Sequence, residues 1–431
     1  MRGSLRALAS FVAIGMLAAG LLAACSPQPA TKPSAPAPAA AATTARAAPP
    51  HAQSGAGEPI RLGAVVPLTG RYASIGAPVR NGYELAIEDV NAAGGVNVGG
   101  VRRPLELRLY DDESDPTKTV QRLETLYAQD RVVVYMGGAG SDLHAAGAAI
   151  GDKNRIPYLG VGFALYEIHQ RGLRYLFSPF VKSPGIVQAT YELLNSLPEA
   201  QRPRRVALFA EKTDWGLEMA RLYAEQAPRY GYQIVANEEY AVGTRDFSDL
   251  IQRAKAAGAE AVMANPNPPD GMALVKQMKE LDFNPRFLHL SRAADGQVWA
   301  DNLGRDGDYV VTSPGWHHAA KFPGVAELTA KHLAKYGKLP EGATGPAYAI
   351  VQVVVDAIER AGSLDGERLR QAIAETNLQT SVVGPIRFNP DGTGVMEYLL
   401  LQWQNGKNEL IWPPEHASAP FAYPAPPFAQ R

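Results

Sequence analysis

The stretch IRLGAVVPLTGRYASIGAPVRNGYELAIEDVNAAGG (60–95) decides the fold. It opens with IRLGAVVPL (60–68), a short apolar run of strand length. From residue 79 onward, Val79, Tyr83, Ile87 and Val90 fall at spacings of three and four, which is one face of a helix. Gly94 and Gly95 then stop that helix. A buried strand followed by an amphipathic helix is the repeating unit of a parallel sheet covered by helices.

The unit recurs along the chain. PLELRLYDD (104–112) alternates Leu105, Leu107 and Leu109 with polar residues and reads as a strand, and Asp115 followed by Pro116 opens the next helix. Further strands are expected at VVVYMGG (132–138), IPYLGVG (156–162), RRVALFAE (204–211), YQIVANEEY (232–240), AEAVMANP (259–266) and RFLHLS (286–291). Helices lie between most of them, for instance at 214–231 and 246–258, and three more follow at about 322–337, 346–361 and 365–375. The Asn405–Gly406 pair between VMEYLLLQWQ and NELIW signals a hairpin. The alternation runs twice, with a break near Ser178 and Pro179, so the expected fold is α/β with two doubly wound parallel-sheet lobes.

The ends differ in kind from this body. Arg2 and Arg6 precede an apolar stretch from Leu8 to Ala24, so residues 1–24 read as a secretory signal peptide. LLAAC (21–25) fits a bacterial lipobox, in which Cys25 is lipidated; it is the sole cysteine of 431 residues, which argues against a disulfide or a thiolate metal site. Residues 25–57 are rich in Pro, Ala, Ser and Thr, bury too little to offset the entropy of ordering, and read as a tether. Residues 415–431 read as a Pro-rich irregular tail. The net charge of −1 gives no footprint for nucleic acid, and the membrane is expected to be touched only through the lipid.

The strongest local signal for chemistry is MGGAGSDLHAAGAA (136–149), where a strand runs through glycines to a hydroxyl at a helix start. N–H groups there suit a carboxylate, with Ser141 also readable as a plain N-cap. GGAGSD lacks the third glycine of a dinucleotide fingerprint, and no G-x-S-x-G or P-loop occurs. His317 and His318 resemble a metal pair, but neighbours in a strand point to opposite sides and no third ligand stands at the right spacing, so a solvated loop is expected. The run Asp111, Asp112, Glu113, Asp115 lacks the spacing of a Ca²⁺ loop. Neither a metal, another cofactor nor an enzymatic activity is expected.

Five segments in order resemble the type I periplasmic binding proteins of the branched-chain amino acid (Leu/Ile/Val-binding) group: LGAVVPLTGRYASIG (62–76), GYELAIEDVNAAGGV (82–96), YDDESDP (110–116), DFSDLIQRAKAAGAEAV (246–262) and GPIRFNPDGTG (384–394). The resemblance implies a monomeric substrate-binding component of an ABC transporter that meets permease subunits and closes its lobes over a small-molecule ligand. Lobe 1 would take residues 58–178 and about 309–383, and lobe 2 residues 179–308 and about 384–414. It assigns the carboxylate grip to Ser141 with Gly140 before it, and a neighbouring loop to Gly162, Phe163 and Ala164, where the family's hydroxyl is missing. Trp215 would bring an aromatic ring and Asn267 would stand in place of another; Tyr72 lies three residues before Ile75, which replaces an expected tyrosine. Ser291 and Arg292 stand near the place of the acidic partner for a ligand ammonium, so an acid without an amine, or an amide, is expected in preference to a standard amino acid, unless Asp270, Glu211 or Asp214 serves. A sensory receptor of the same fold and a flavodoxin-like enzyme are the competing readings.

Overall fold

The computed structural model describes residues 57–431. The first lobe is built from β1 (Ile60–Val66), α1 (Ala73–Ala92), the hairpin β2 (Val96–Val98) and β3 (Val101–Arg103), β4 (Leu105–Asp111), α2 (Pro116–Thr125), β5 (Val134–Gly137), α3 (Ser141–Asn154), β6 (Tyr158–Leu159) and β7 (Leu176–Phe177). Its parallel sheet has the order β4-β1-β5-β6-β7. The second lobe follows with α4 (Ser183–Asn195), β8 (Arg205–Glu211), α5 (Asp214–Tyr230), β9 (Gln233–Tyr240), α6 (Ser248–Ala256), β10 (Ala261–Ala264), α7 (Pro268–Glu280), β11 (Phe287–Leu290), α8 (Val298–Leu303) and β12 (Val310–Thr312). Its sheet repeats the order as β9-β8-β10-β11-β12, then adds β15 (Leu400–Gln404) and β16 (Lys407–Trp412) as antiparallel edge strands.

In each lobe the chain reverses its direction of travel beside the first strand: between β1 and β5, and between β8 and β10. Open α/β sheets bind ligands in the crevice beyond the C-terminal strand ends at such a point. The loops leaving β5 and β8 carry Ser141 and Trp215, so the topology alone delivers both to the cleft.

The strands form where expected, because buried parallel strands read as apolar runs. Leu107 and Leu109 of β4 are only half-buried, as befits an edge strand. Asp115 caps α2 by accepting from the N–H groups of Thr117 and Lys118, and Asp111 accepts from that of Leu68, so the acidic run serves turns and a cap. Asn405 and Gly406 take φ of 52° and 73°, the left-handed values a two-residue hairpin needs.

Several boundaries differ from expectation. α1 begins at Ala73, six residues before the periodic apolar face, because its first turn seats directly on the preceding loop: a Cβ on Gly76 would lie 1.9 Å from the carbonyl oxygen of Pro67. The chain returns to the first lobe after β12 and not at 309, since β12 still pairs within the second sheet. α9 (Val325–Tyr336), α10 (Thr344–Ala361) and α11 (Gly366–Ala374) then cover the first lobe, α10 lying along α1. β13 (Asn377–Leu378) pairs with β14 (Ile386–Arg387), and residues near 393 still bond Ser178 of the first crossover. The second sheet is rejoined only at Leu400, later than the expected 384.

The tail after residue 414 is irregular but docked. Gln402 bonds the Ala422 carbonyl, Ala425 donates to that of Arg286, and Phe428 is buried in the second core.

Candidate functional site

Residues of both lobes line one pocket. Ser141 stands in the first turn of α3, preceded by Gly140 at φ 97°, and makes no cap bond; its Oγ receives the Leu165 N–H at 3.4 Å. The first helical bond of α3 runs from His144 to Gly140, which leaves the N–H groups of Ser141, Asp142 and Leu143 outside the helical ladder. Next to them, among the described residues, the N–H groups of Gly162 and Ala164 have no acceptor. Ser141, Gly162 and Ala164 line the pocket, so their free N–H groups lie at a helix start beside a Ser hydroxyl, a setting suited to an anion. Ile75, Pro78, Phe180, Ile186 and Trp215 supply the apolar lining.

Arg292 bridges the lobes. Its guanidinium lies 4.7 Å from the Trp215 ring and 5.2 Å from the Tyr72 ring, and Nη2 donates to Glu211 Oε2 at 2.7 Å and to the Asn265 carbonyl at 3.2 Å. Burial opposes its charge, but the adjacent Glu211 carboxylate outweighs it and holds its pKa above the ordinary arginine value. Burial pushes the Tyr72 phenol up to about 12, so it is a neutral donor, and it bonds Asp142 at 3.0 Å.

A family model for periplasmic binding proteins matches residues 59–408. The chain belongs to the periplasmic binding protein family. Leu/Ile/Val-binding protein homolog 7 of Brucella abortus (strain 2308) is 24% identical over 371 residues, covering 82% of this chain and 91% of its own. The fold matches a leucine-binding protein of Thermotoga maritima with a TM-score of 0.74 at 20% identity, covering 82% of this chain and 97% of the other. It also matches a solute-binding protein of an R. palustris ABC transporter in complex with benzoate, with a TM-score of 0.70 at 19% identity, covering 84% and 97%. Members of this family bind solutes and are not catalysts.

In this periplasmic binding protein the expected site residues divide into three groups. Ser141, Gly162, Ala164, Trp215, Ser291 and Arg292 line the pocket, and Tyr72 lines an adjoining cavity with Asp142 and Asp214, which shares Ser141, Trp215 and Arg292 with it. Gly140 and Phe163 lie beneath it: a Cβ on Gly140 would stand 2.5 Å from the Tyr72 ring, while Phe163 stacks on His144 at 4.3 Å with Lys182 Nζ 3.7 Å above its ring. Asn267 does not reach the pocket. It caps α7 by accepting the Asp270 N–H, and its Nδ2 donates to Glu211 and Asp270.

Two further expectations are corrected. Glu211 and Asp270 are committed to Arg292, Asn267 and Gly243, and Asp214 points to Arg171, but two carboxylates that the sequence reading did not name, Asp295 and Glu341, line the pocket. Asp295 lies only three residues beyond Arg292, but the turn after β11 folds it back, and a strand-end reading stops short of that turn. Burial, aided by Glu341 and opposed by the Thr312 hydroxyl and Arg292, raises its pKa to about 8. His317 is not in a solvated loop. It is buried, its Nε2–H donates to the Asn408 carbonyl oxygen at 2.8 Å, its ring packs 4.1 Å from that of His318, and burial lowers its pKa to about 3.

Proposed function

We propose that this chain is the substrate-binding component of an ABC-type uptake system and that it holds a small carboxylate-bearing ligand by hinge closure of its two lobes. The observation that carries this reading is the set of unsatisfied donors around Ser141, Gly162 and Ala164 at the start of α3, on a pocket whose other walls are apolar. Three crossovers join the lobes, which suits hinge bending, and a ligand that touches both lobes stabilises the closed state by its differential affinity. The reading includes permease subunits as partners, a monomeric state, and a place in the periplasm or on the outer face of the cytoplasmic membrane, held by a lipid on Cys25, which lies outside the described residues.

Isothermal calorimetry of the purified protein against amino acids, aromatic acids, keto acids, dicarboxylates and amides tests the reading, with small-angle scattering of the best binder as a second readout. Ser141→Ala is expected to weaken that ligand by about ten- to a hundredfold, the worth of one charge-assisted hydrogen bond. Unchanged affinity, or a radius of gyration indifferent to ligand, speaks against it.

A further inference from the structure

Lys182 stands where the first crossover enters α4, and it is buried, 3% exposed as a residue. Lysine is almost never fully buried without a charge partner, yet among the described residues this one forms no ion pair. Its Nζ donates instead to the Phe163 carbonyl at 2.9 Å and to Ser178 Oγ at 2.8 Å, and lies 3.7 Å from the centre of the Phe163 ring. Ser178 gives its own proton to the Gly160 carbonyl at 2.9 Å, so its oxygen accepts from Lys182. A carbonyl, a hydroxyl oxygen and a ring face offer a partner to each of the three N–H groups of an ammonium. Burial pulls the Lys182 pKa well below the ordinary lysine value, and Glu218 and Asp391 oppose that from a distance. Glu218 is itself engaged, accepting the N–H groups of Tyr166 and Glu167 at 2.8 Å each.

In a trans peptide the C=O and the N–H that follows it point in opposite directions. Lys182 holds the Phe163 carbonyl toward the hinge, behind the loop, which turns the Ala164 N–H the other way. Ala164 lines the pocket, and among the described residues its N–H has no acceptor. The next peptide follows the same rule: the Ala164 carbonyl accepts the Ser183 N–H at 2.9 Å on the α4 side, and the Leu165 N–H points to Ser141 Oγ at 3.4 Å. A bond from an ammonium to a carbonyl also polarises the peptide and makes its N–H a stronger donor. An anion held by the Ala164 N–H would stand about 7 Å from Nζ, by ordinary peptide and hydrogen-bond dimensions.

We infer that Lys182 is a positioning residue of the carboxylate site: from behind the loop it orients and polarises the Phe163–Ala164 peptide, and it supplies positive charge where Gly162, Phe163 and Ala164 offer no hydroxyl. The role rests on the proposed function, since it requires a ligand carboxylate at the start of α3.

The test is calorimetry of acids against their carboxamides, which keep the skeleton and lose the negative charge. The standard L-amino acids and benzoate serve as probes, each beside its amide. The tightest acid is expected to bind at least about a hundredfold more tightly than its amide. Lys182→Met is expected to weaken that acid about tenfold and the amide less than about threefold, the mark of one charge acting across a few ångströms of protein interior. A residue that merely braced the loop would move acid and amide together. Nitrogen-15 NMR of the lysine-labelled parent protein, saturated with the acid, gives a second readout that needs no substitution and so decides the matter even if thermal melts show that Lys182→Met does not fold. The Nζ signal that contacts the Phe163 ring is expected to be that of an ammonium. Equal losses for acid and amide, or a neutral amine in the acid complex, overturn the role of Lys182 and leave the carboxylate reading standing. Binding of no acid, or of amides as tightly as acids, overturns both.

Discussion

Arg292 joins more of the site than any other side chain named here, and its role is structural before it is chemical. Its partner Glu211 is 1% exposed, so the pair has traded hydration for one short ion pair, two flanking rings and a carbonyl. Removing one member of such a pair strands the other charge, a loss of about 3–5 kcal/mol. Arg292→Ala should lower stability to urea by about that amount, and adding Glu211→Gln should recover most of it. A single variant as stable as the parent would contradict this account of the pair. Asp295 gives a second residue-level expectation. With its pKa raised to about 8, it carries a proton at pH 7, and the charged groups facing it are Arg292 and Glu341, the latter paired with Lys338. A raised carboxyl pKa makes the free protein hold a proton that the unfolded chain has lost, so its contribution to stability declines as pH rises through 8. Urea unfolding measured between pH 5 and 9 should show that decline, and Asp295→Asn should remove it; a pH dependence unchanged by the substitution would contradict it.

Among the elements, the switch-point loops and the docked tail show how local sequence is put to use. The loop after β8 turns so tightly into α5 that a Cβ on Gly216 would lie 1.9 Å from the Glu211 carbonyl oxygen, and this brings Trp215 over the cleft, its indole N–H donating to Ser183 Oγ at 3.1 Å. The tail carries no periodic pattern, yet Phe428 is 4% exposed against the second core and its N–H bonds Asn284 Oδ1. Burying a phenylalanine makes the last turn an anchor for the residues before it. Phe428→Ala should cost about 3 kcal/mol, the lower end for a buried phenylalanine, because this one lies at the rim of its core. Hydrogen exchange should then rise across residues 415–431 while the first sheet stays protected. Equal protection in both proteins would mean that the hydrogen bonds of the tail hold it without the ring.

For the whole molecule, the proposed anchor is the feature most open to a direct test, since Cys25→Ser should move the protein from the membrane fraction to the soluble one, and unchanged membrane association would refute lipidation. The double run of apolar strands and amphipathic helices determined the two-lobed α/β fold by itself, because parallel strands buried on both faces and helices buried on one leave unmistakable periods in a sequence. It determined the start of α3 as well: glycines and a hydroxyl between a strand and a helix mark a donor-rich helix end, and Ser141, Gly162 and Ala164 lie together there. What only the tertiary structure decided is everything that depends on which side chains face one another across the cleft. Asn267 looked like a ligand contact and is a helix cap; His317 looked solvated and is buried. Asp295 and Glu341, 46 positions apart in the numbering and unmarked by any local pattern, converge on one pocket. Spacing along a chain fixes which residues share a helix face or a strand end, since those periods are local. The meeting of a turn in one lobe with a loop in the other is set by how two sheets and their crossovers pack, and no local period encodes it.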